Sequence, residues 1–290
     1  MSTSTVPDTD TIVTIGGQPL HFTEWNPTAG DATLLIHGIN RELHIWDPVV
    51  PSLAENRRVI CVDLRGHGRS GWSDEGYALE SFAGDLGGLL NHLGLTEVKI
   101  IGHSLGARIG ICLAATWSGT TRHLVLSDTG AEFPKKVALA LSEANRKRGY
   151  YYFDSEGDAL TKLRAANPEW ADEFHVNSVR HEFRTNWIGK VVRRSDPELR
   201  WMVQTEWVEG NPRLWAWWSS LRMPVTLLWG SDSGFLDEEI VGRMRRDQPG
   251  LVVRRPAGSH YYLRESPEEF VRLAEEALAA DLGTSGRSST

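Results

Sequence analysis

The sequence Gly-His-Ser-Leu-Gly at residues 102–106 constrains the fold more than any other feature of this chain. A short apolar run precedes it at residues 98–101, and a helical apolar pattern follows at residues 105–117. A serine flanked by glycines at this spacing occupies a tight strand-to-helix turn, because small neighbours let the backbone fold back closely. The helix begins directly after the serine, so its free N–H groups face any oxyanion formed there. The motif therefore predicts that Ser104 is a nucleophile.

Short apolar runs alternate with helical patterns over most of the remaining chain. Buried strands are predicted at residues 32–36, 59–64, 98–101, 123–127, 225–229 and 251–253, with an opening hairpin at 11–22. Helices are predicted at residues 77–93, 105–117, 238–245 and 267–279. Because this alternation is typical of parallel sheets, the sequence predicts an α/β fold with a mostly parallel central sheet covered by helices on both faces.

The alternation stops between residues 133 and 221, where charged and aromatic residues replace the apolar runs. This segment holds seven of the 12 tryptophans of the chain, which is not the composition of a disordered loop. It shows no clear strand, and helices are predicted at 135–148 and 197–208. We interpret the segment as a helical cap inserted after the strand that ends near Ser127. The predicted division is a core domain at 11–132 and 222–282, a cap domain at 133–221, and flexible tails at 1–10 and 283–290.

The Ser104 hydroxyl needs a base to take its proton and an acid to orient that base. Of the 10 histidines, only His260 lies in a loop after a late strand and before the final helix, so we predict that it is the base. His103 adjoins the nucleophile but points away from it, and a structural role is expected. His175 and His181 lie in the cap and are expected to be surface residues.

Six segments carry a family resemblance: LLIHGIN (34–40), DLRGHGRS (63–70), GHSLG (102–106), LVLSD (124–128), LLWGSDS (227–233) and AGSHYYLRESPEEF (257–270). They resemble the α/β-hydrolase fold superfamily, in its capped, serine-nucleophile, esterase- or lactonase-like form. The resemblance implies a helical cap and an oxyanion hole made of two backbone N–H groups. One belongs to Leu105, directly after the nucleophile, and the other to Ile39, which follows the His-Gly pair.

The position of the triad acid departs from the usual family pattern. Most members place the acid at the third position after the glycine that ends the strand VTLLW, and here that residue is Ser233. Asp232 lies one residue early. Some members place the acid after the preceding core strand, where this chain has Asp128. We favour Asp128 as the acid and keep Asp232 as the alternative.

Composition and motifs exclude several functional classes. The net charge of −7 argues against general binding of nucleic acid or anionic membrane. No nucleotide-binding glycine pattern and no metal-ligand spacing occur, so neither a cofactor nor a metal is expected. The two cysteines, Cys61 and Cys112, lie in apolar runs and are expected to be free thiols. The lack of a signal sequence or of a membrane-spanning segment favours the cytoplasm. A monomer or a homodimer is expected.

These observations predict a serine hydrolase that cleaves a small or medium apolar carboxylic ester or lactone through an acyl-enzyme. One alternative uses the same scaffold for C–C bond hydrolysis, or for a cofactor-free oxygenase or lyase in which the His260–Asp128 pair acts as the base. A second alternative is a ligand receptor with a hydrolase fold and no turnover. A dehalogenase or epoxide hydrolase is disfavoured, because it needs a carboxylate nucleophile where this chain has Ser104.

Overall fold

A central sheet and the helices around it are described for residues 6–147, 152–202, 207 and 211–279 in this computed structural model. The strands are β1 (Thr9–Ile15), β2 (Gln18–Trp25), β3 (Ala32–Ile36), β4 (Arg58–Val62), β5 (Val98–His103), β6 (Thr121–Ser127), β7 (Phe183–Thr185), β8 (Val191–Arg193), β9 (Val225–Leu228) and β10 (Val252–Arg254). Eight of them form one sheet in the order β1-β2-β4-β3-β5-β6-β9-β10. The pairs β1–β2 and β2–β4 are antiparallel, and all other neighbours in this sheet are parallel.

Helices alternate with these strands along the described chain. They are α1 (Val50–Leu53), α2 (Leu79–His92), α3 (Leu105–Thr116), α4 (Lys135–Lys147), α5 (Glu156–Ala166), α6 (Asp172–Glu182), α7 (Leu199–Met202), α8 (Asn211–Ser220), α9 (Glu238–Asp247), α10 (Tyr262–Glu265) and α11 (Pro267–Ala279). The predicted strands and helices of the core correspond to these elements within a few residues. β1 begins at Thr9, inside the segment that was predicted to be a flexible tail.

The sheet is buried on both faces, because successive side chains of a strand point to opposite sides. Leu34 and Ile36 of β3 pack in a hydrophobic cluster with residues of α2 and α3. Leu35, between them, packs in a second cluster with residues of α1 and α11. Burial on both faces explains why the parallel strands are continuous apolar runs in the sequence.

The parallel strands end at one edge of the sheet, and the loops that follow them carry the predicted site residues. Ile39 follows β3, Ser104 follows β5 and Asp128 follows β6, while β9 is followed by the loop with Asp232. Because β3, β5, β6 and β9 are adjacent in the sheet, these loops are neighbours in space. In open parallel sheets, the carboxyl ends of the strands form the usual ligand-binding edge.

The segment between β6 and β9 is mainly helical, but the prediction that it contains no strand is wrong. β7 and β8 pair as an antiparallel hairpin, with Phe183 opposite Arg193. Each strand has three residues, too few to show a period of two in the sequence. Helices α5, α6 and α8 were also not predicted. The prediction of a separate cap domain at 133–221 stays a prediction; below, "cap segment" means these residues.

Two predicted helices in the cap segment are described only in part. The helix predicted at 135–148 is α4, and residue 148 lies outside the described residues. Within the helix predicted at 197–208, the structure describes α7, while residues 203–206 and 208 lie outside. Of the predicted tails, residues 1–5 and 283–290 also lie outside the described part.

Buried polar side chains correct one expectation about the cap segment and support another about the core. His175 is not a surface residue, since it is buried and its Nε2 donates to the backbone oxygen of Asn167 at 3.0 Å. Cys61 and Cys112 are buried free thiols, as predicted.

Among the described helices, none has the length and apolarity that crossing a membrane requires.

Candidate active site

Ser104 occupies a strained turn between β5 and α3. Its backbone has φ 55° and ψ −117°, and a positive φ is uncommon for a residue other than glycine. Such conformations cost free energy and persist only where the surrounding structure holds them, most often at functional sites. The turn brings the Ser104 side chain into the wall of a cavity above the sheet edge.

The two glycines of the motif allow the backbone to approach closely on both sides of Ser104. A Cβ atom on Gly102 would lie 2.3 Å from the backbone oxygen of Gly106. A Cβ atom on Gly106 would lie 2.1 Å from the backbone oxygen of Ile36, in the neighbouring strand. Both contacts are far shorter than van der Waals distance, so any side chain at either position forces the backbone apart.

His260 is hydrogen-bonded to Asp128, as the favoured sequence interpretation expects of a base and its acid. The distance from His260 Nδ1 to Asp128 Oδ2 is 2.6 Å, and both side chains are buried. The backbone N–H of Gly230 donates to Asp128 Oδ1 at 2.9 Å, and Ser233 Oγ donates to Asp128 Oδ2. Burial raises the pKa of Asp128 to about 7, and these two hydrogen bonds offset only part of the rise. The carboxylate is therefore held rigidly against the imidazole.

The structure does not bring the alternative acid, Asp232, to His260. Asp232 is exposed, and its Oδ1 accepts a hydrogen bond from Ser231 Oγ at 3.1 Å. The structure thus places Asp128 at the histidine.

Ser233 is a site residue that sequence reasoning did not identify. It stands where most members of the resembling family carry the acid. It was set aside because a serine side chain cannot act as the acid. In the structure its hydroxyl donates to Asp128 Oδ2, the oxygen that also accepts from His260. The end of β9 thus contributes to the same carboxylate from across the sheet edge.

The His260 ring is enclosed by aromatic and cationic groups. Phe235 stacks on it with a centroid distance of 3.7 Å and an interplanar angle of 7°. Burial lowers the pKa of His260, and the nearby Arg41 guanidinium lowers it further. The imidazole is therefore neutral near pH 7, as a general base must be. Within the described residues no hydrogen bond joins it to Ser104, and catalytic hydrogen bonds often form fully only with substrate bound.

The loop after β3 lies directly against Ser104. A Cβ atom on Gly38 would lie 3.1 Å from Ser104 Cβ. His37 holds this loop, because its Nε2 accepts from the Leu64 N–H at 3.0 Å and its Nδ1 donates to the Gly38 oxygen at 2.7 Å. Asn40, farther along the loop, has a φ of 57°.

The two predicted oxyanion donors both belong to segments next to Ser104. Ile39 lies in the cavity wall, and Leu105 is the first residue of α3. Their role as donors stays a prediction. His103, next to Ser104, donates from Nε2 to the backbone oxygen of His260 at 2.9 Å, so it ties the two catalytic loops together.

Ser104 and His260 open into a cavity of about 540 Å³ between the sheet edge and the cap segment. Part of its wall is apolar: Ile39, Leu141, Trp207 and Phe235 belong to one hydrophobic cluster. Another part is cationic, with Arg41, Lys162 and Arg193. Tyr150 and Tyr151, two aromatic residues of the cap sequence, lie outside the described residues.

Among the described residues, one cluster of possible metal ligands occurs that sequence spacing did not indicate. Glu42, His44 and His181 each offer a ligand atom, and these atoms lie within 4.8 Å of one another. The two imidazole rings pack against each other with centroids 3.8 Å apart and an interplanar angle of 32°, and His44 Nδ1 hydrogen-bonds to Asp47 at 3.0 Å. Because the histidine rings pack on each other and Asp47 already binds His44, we assign no metal to this cluster.

The family model described as alpha/beta hydrolase fold matches residues 32–267 of the chain. The chain belongs to the α/β-hydrolase fold family. This confirms the family and the fold that the sequence motifs predicted.

Two curated relatives of this α/β hydrolase, each matched over most of its length, are named as hydrolases. The 2-(acetamidomethylene)succinate hydrolase of Mesorhizobium japonicum is 26% identical over 246 residues, covering 83% of this chain and 85% of the relative. The 3-hydroxybutyrate-oligomer hydrolase of Cupriavidus necator is 27% identical over 238 residues, covering 77% of this chain and 80% of the relative.

Solved structures share the fold of this α/β hydrolase over nearly its whole length. An E-2-(acetamidomethylene)succinate hydrolase has a TM-score of 0.84 at 24% identity, covering 93% of this chain and 99% of the other. An esterase of Mycobacterium tuberculosis has a TM-score of 0.78 at 24% identity, covering 94% and 93%. At these identities the similarity shows the common fold.

Proposed function

We propose that this α/β hydrolase cleaves a carboxylic ester or lactone by nucleophilic catalysis at Ser104. The observation that carries the proposal is the buried hydrogen bond between His260 Nδ1 and Asp128 Oδ2, in a cavity that Ser104 also lines. A pair of this kind activates a nearby hydroxyl nucleophile. Relatives named as a 3-hydroxybutyrate-oligomer hydrolase and as an esterase support this class of reaction.

In the acylation step, Ser104 Oγ attacks the carbonyl carbon while His260 Nε2 takes the hydroxyl proton. Asp128 accepts a hydrogen bond from the Nδ1–H of His260. It therefore keeps Nε2 unprotonated before the attack and stabilises the imidazolium that forms after the proton transfer. The charge on the carbonyl oxygen is received by the backbone N–H groups of Ile39 and Leu105, which need no reorganisation because the fold holds them. The imidazolium then protonates the leaving alkoxide, and the C–O bond breaks.

In the deacylation step, water replaces the alcohol. His260 Nε2 takes a proton from this water, whose oxygen attacks the acyl carbon. The tetrahedral intermediate collapses, the proton returns to Ser104 Oγ, and the carboxylic acid leaves. Apolar parts of the substrate lie against the cluster of Ile39, Leu141, Trp207 and Phe235.

The proposal is tested by covalent labelling. We expect a fluorophosphonate probe to add one phosphonyl group to the intact protein, on the tryptic peptide that contains Ser104, measured by mass spectrometry. Ser104→Ala removes the attacking oxygen and is expected to abolish both labelling and release of 4-nitrophenol from short acyl esters. Ser142→Ala, which removes a hydroxyl from α4 in the cap segment, is the matched control and should label as wild type. No labelling and no turnover in the folded wild-type protein would overturn the proposal.

The pH dependence of turnover tests the role of Phe235. Because the stacked ring helps to bury His260, Phe235→Ala lets water reach the imidazole and raises its pKa toward the ordinary value. A larger fraction of His260 is then protonated at a given acidic pH, so the acid limb of kcat/KM should move to higher pH. Phe153→Ala is the control, since Phe153 lines the cavity but packs edge to face against Phe183. A limb that stays in place, or moves to lower pH, contradicts the assignment.

A further inference from the structure

The cavity of this protein is cationic although the chain as a whole is acidic. Three of the side chains that line the cavity are those of Arg41, Lys162 and Arg193, and none of its described lining residues is Asp or Glu. The whole chain carries a net charge of −7. A cavity whose charge opposes that of the rest of the protein attracts and orients ligands of the opposite sign.

Arg41 shares its carboxylate partner with a second arginine. Glu182, at the end of α6, accepts from Arg41 Nη1 at 2.6 Å through one oxygen and from Arg193 Nη1 at 2.7 Å through the other. Burial raises the pKa of Glu182, but the two guanidiniums bring it below its ordinary value, so this carboxylate is ionised. Arg41 is therefore hydrogen-bonded to one oxygen of a carboxylate that it does not have to itself.

Arg41 has donors that no described residue accepts from. A guanidinium has five N–H groups, and those of Arg41 make hydrogen bonds to Glu182 and, from Nη2 at 3.0 Å, to Tyr261 Oη. Its Nε is buried without a partner, and the residue is 9% exposed. Buried polar groups are normally satisfied, so unused donors on a cavity-lining side chain indicate a missing acceptor.

The Arg41 side chain is held in place by aromatic rings. Its guanidinium carbon lies 4.8 Å from the ring centroid of Tyr261 and 5.2 Å from that of Trp170. Rings on a guanidinium fix its plane and exclude water from it, while its edge stays available for hydrogen bonding. Arg41 lines the same cavity as Ser104 and His260, so an anion bound to it lies near the reacting groups.

We propose that the substrate carries a carboxylate besides the bond that is cleaved, and that Arg41 binds this carboxylate. The inference rests on the proposed hydrolase function and adds the class of substrate. A carboxylate supplies the negative charge that a guanidinium attracts, and its two oxygens match the planar donor edge of a guanidinium. The apolar cluster of the cavity receives the rest of the molecule.

Matched substrates test the proposal in the wild-type protein. Each pair differs only by a carboxylate against a carboxamide: mono-4-nitrophenyl adipate with its terminal amide, and 4-acetoxybenzoate with 4-acetoxybenzamide. The first pair places the charge on the acyl side, and the second places it on the alcohol side. We expect the carboxylate to have at least a tenfold higher kcat/KM in one pair. Equal or higher kcat/KM for the amide in both pairs overturns the inference.

Substitution of Arg41 tests the assigned residue. In Arg41→Gln, the ratio of kcat/KM between the preferred carboxylate and its amide should fall at least tenfold, because the guanidinium charge is lost. Arg164→Gln removes the same charge from α5, where Arg164 pairs with exposed Asp172 outside the cavity lining, and should leave the ratio unchanged. An unchanged ratio in Arg41→Gln, or an equal fall in both variants, excludes Arg41 as the binding residue.

A binding measurement separates failure of this inference from failure of the proposed function. Adipate should raise the melting temperature of Ser104→Ala, which still has Arg41, and should not raise that of Arg41→Gln/Ser104→Ala. If wild type is neither labelled nor active but this pattern holds, the function is wrong and the carboxylate site stands. If wild type is active and adipate has no effect, or sulfate at equal ionic strength has the same effect, the carboxylate inference is wrong. Should the double variant not fold, the wild-type substrate pairs and adipate binding to Ser104→Ala decide.

Discussion

Asp128→Asn is expected to lower kcat by about 10⁴-fold, the order of loss that the same change of a triad aspartate causes in serine proteases. The asparagine side chain is uncharged, so it cannot stabilise the imidazolium as a carboxylate does, and its NH₂ group can hold His260 in the wrong tautomer. The substitution also removes the negative charge of the carboxylate that accepts hydrogen bonds from Ser233 Oγ and the Gly230 N–H. Steady-state hydrolysis of a 4-nitrophenyl ester at pH 8, with protein shown to be folded by circular dichroism, gives the measurement.

Asp232→Asn is the matched control for Asp128→Asn. It makes the same chemical change in the neighbouring loop, at an exposed side chain whose hydrogen bond is to Ser231. We expect its kcat to stay within about threefold of wild type, because exposed positions away from the reacting groups have small effects. If Asp232→Asn lost activity while Asp128→Asn kept it, the acid would be Asp232 and the triad assignment would be wrong.

Gly106→Ala is expected to destabilise the protein by several kcal/mol, on the order of 4 or more. The added Cβ would lie 2.1 Å from the Ile36 oxygen and 2.8 Å from the His37 oxygen. Both are backbone atoms at the end of β3, so no change of side-chain rotamer relieves the contact. The turn that carries Ser104 and the loop that carries Ile39 would have to separate. Urea unfolding followed by tryptophan fluorescence measures the free energy of unfolding.

Gly84→Ala provides a control with the opposite sign. Gly84 lies inside α2, and a Cβ atom built on it meets no other atom within 4 Å. Alanine has less conformational freedom in the unfolded chain and a higher helix propensity, so we expect a gain of about 0.5–1 kcal/mol. If the two variants had similar stability, the close backbone approach at Gly106 would not explain the glycine of the motif.

The core of the fold and the catalytic pair were predictable because their signals are local or ordered along the chain. Apolar runs and helical spacing predict β3 to β6 and α2 to α3, and the Gly-His-Ser-Leu-Gly turn predicts the position of Ser104. Asp128 was favoured as the acid because some members of the resembling family carry it after the preceding core strand, and Asp232 stayed as the alternative. The structure places the Asp128 carboxylate at His260.

The walls of the cavity were not predictable, because they depend on contacts between residues far apart in sequence. Arg41 and Glu182 are separated by 141 positions, and neither has a pattern that indicates its partner. The strands that carry Phe183 and Arg193 are too short for periodicity to reveal them. The cap segment is rich in aromatic residues, but its sequence does not indicate that a cation lies among them.

Backbone strain in this protein is concentrated at the edge of the sheet where the reaction is proposed to occur. Of four non-glycine residues with positive φ in the described chain, Asn40, Ser104 and Asp128 belong to this edge. Each such conformation costs roughly 1–3 kcal/mol, which the packed core must offset. Engineering for heat resistance should therefore leave these strand ends alone and use the outer helices and surface loops. A substitution that relaxes them trades turnover for a higher melting temperature.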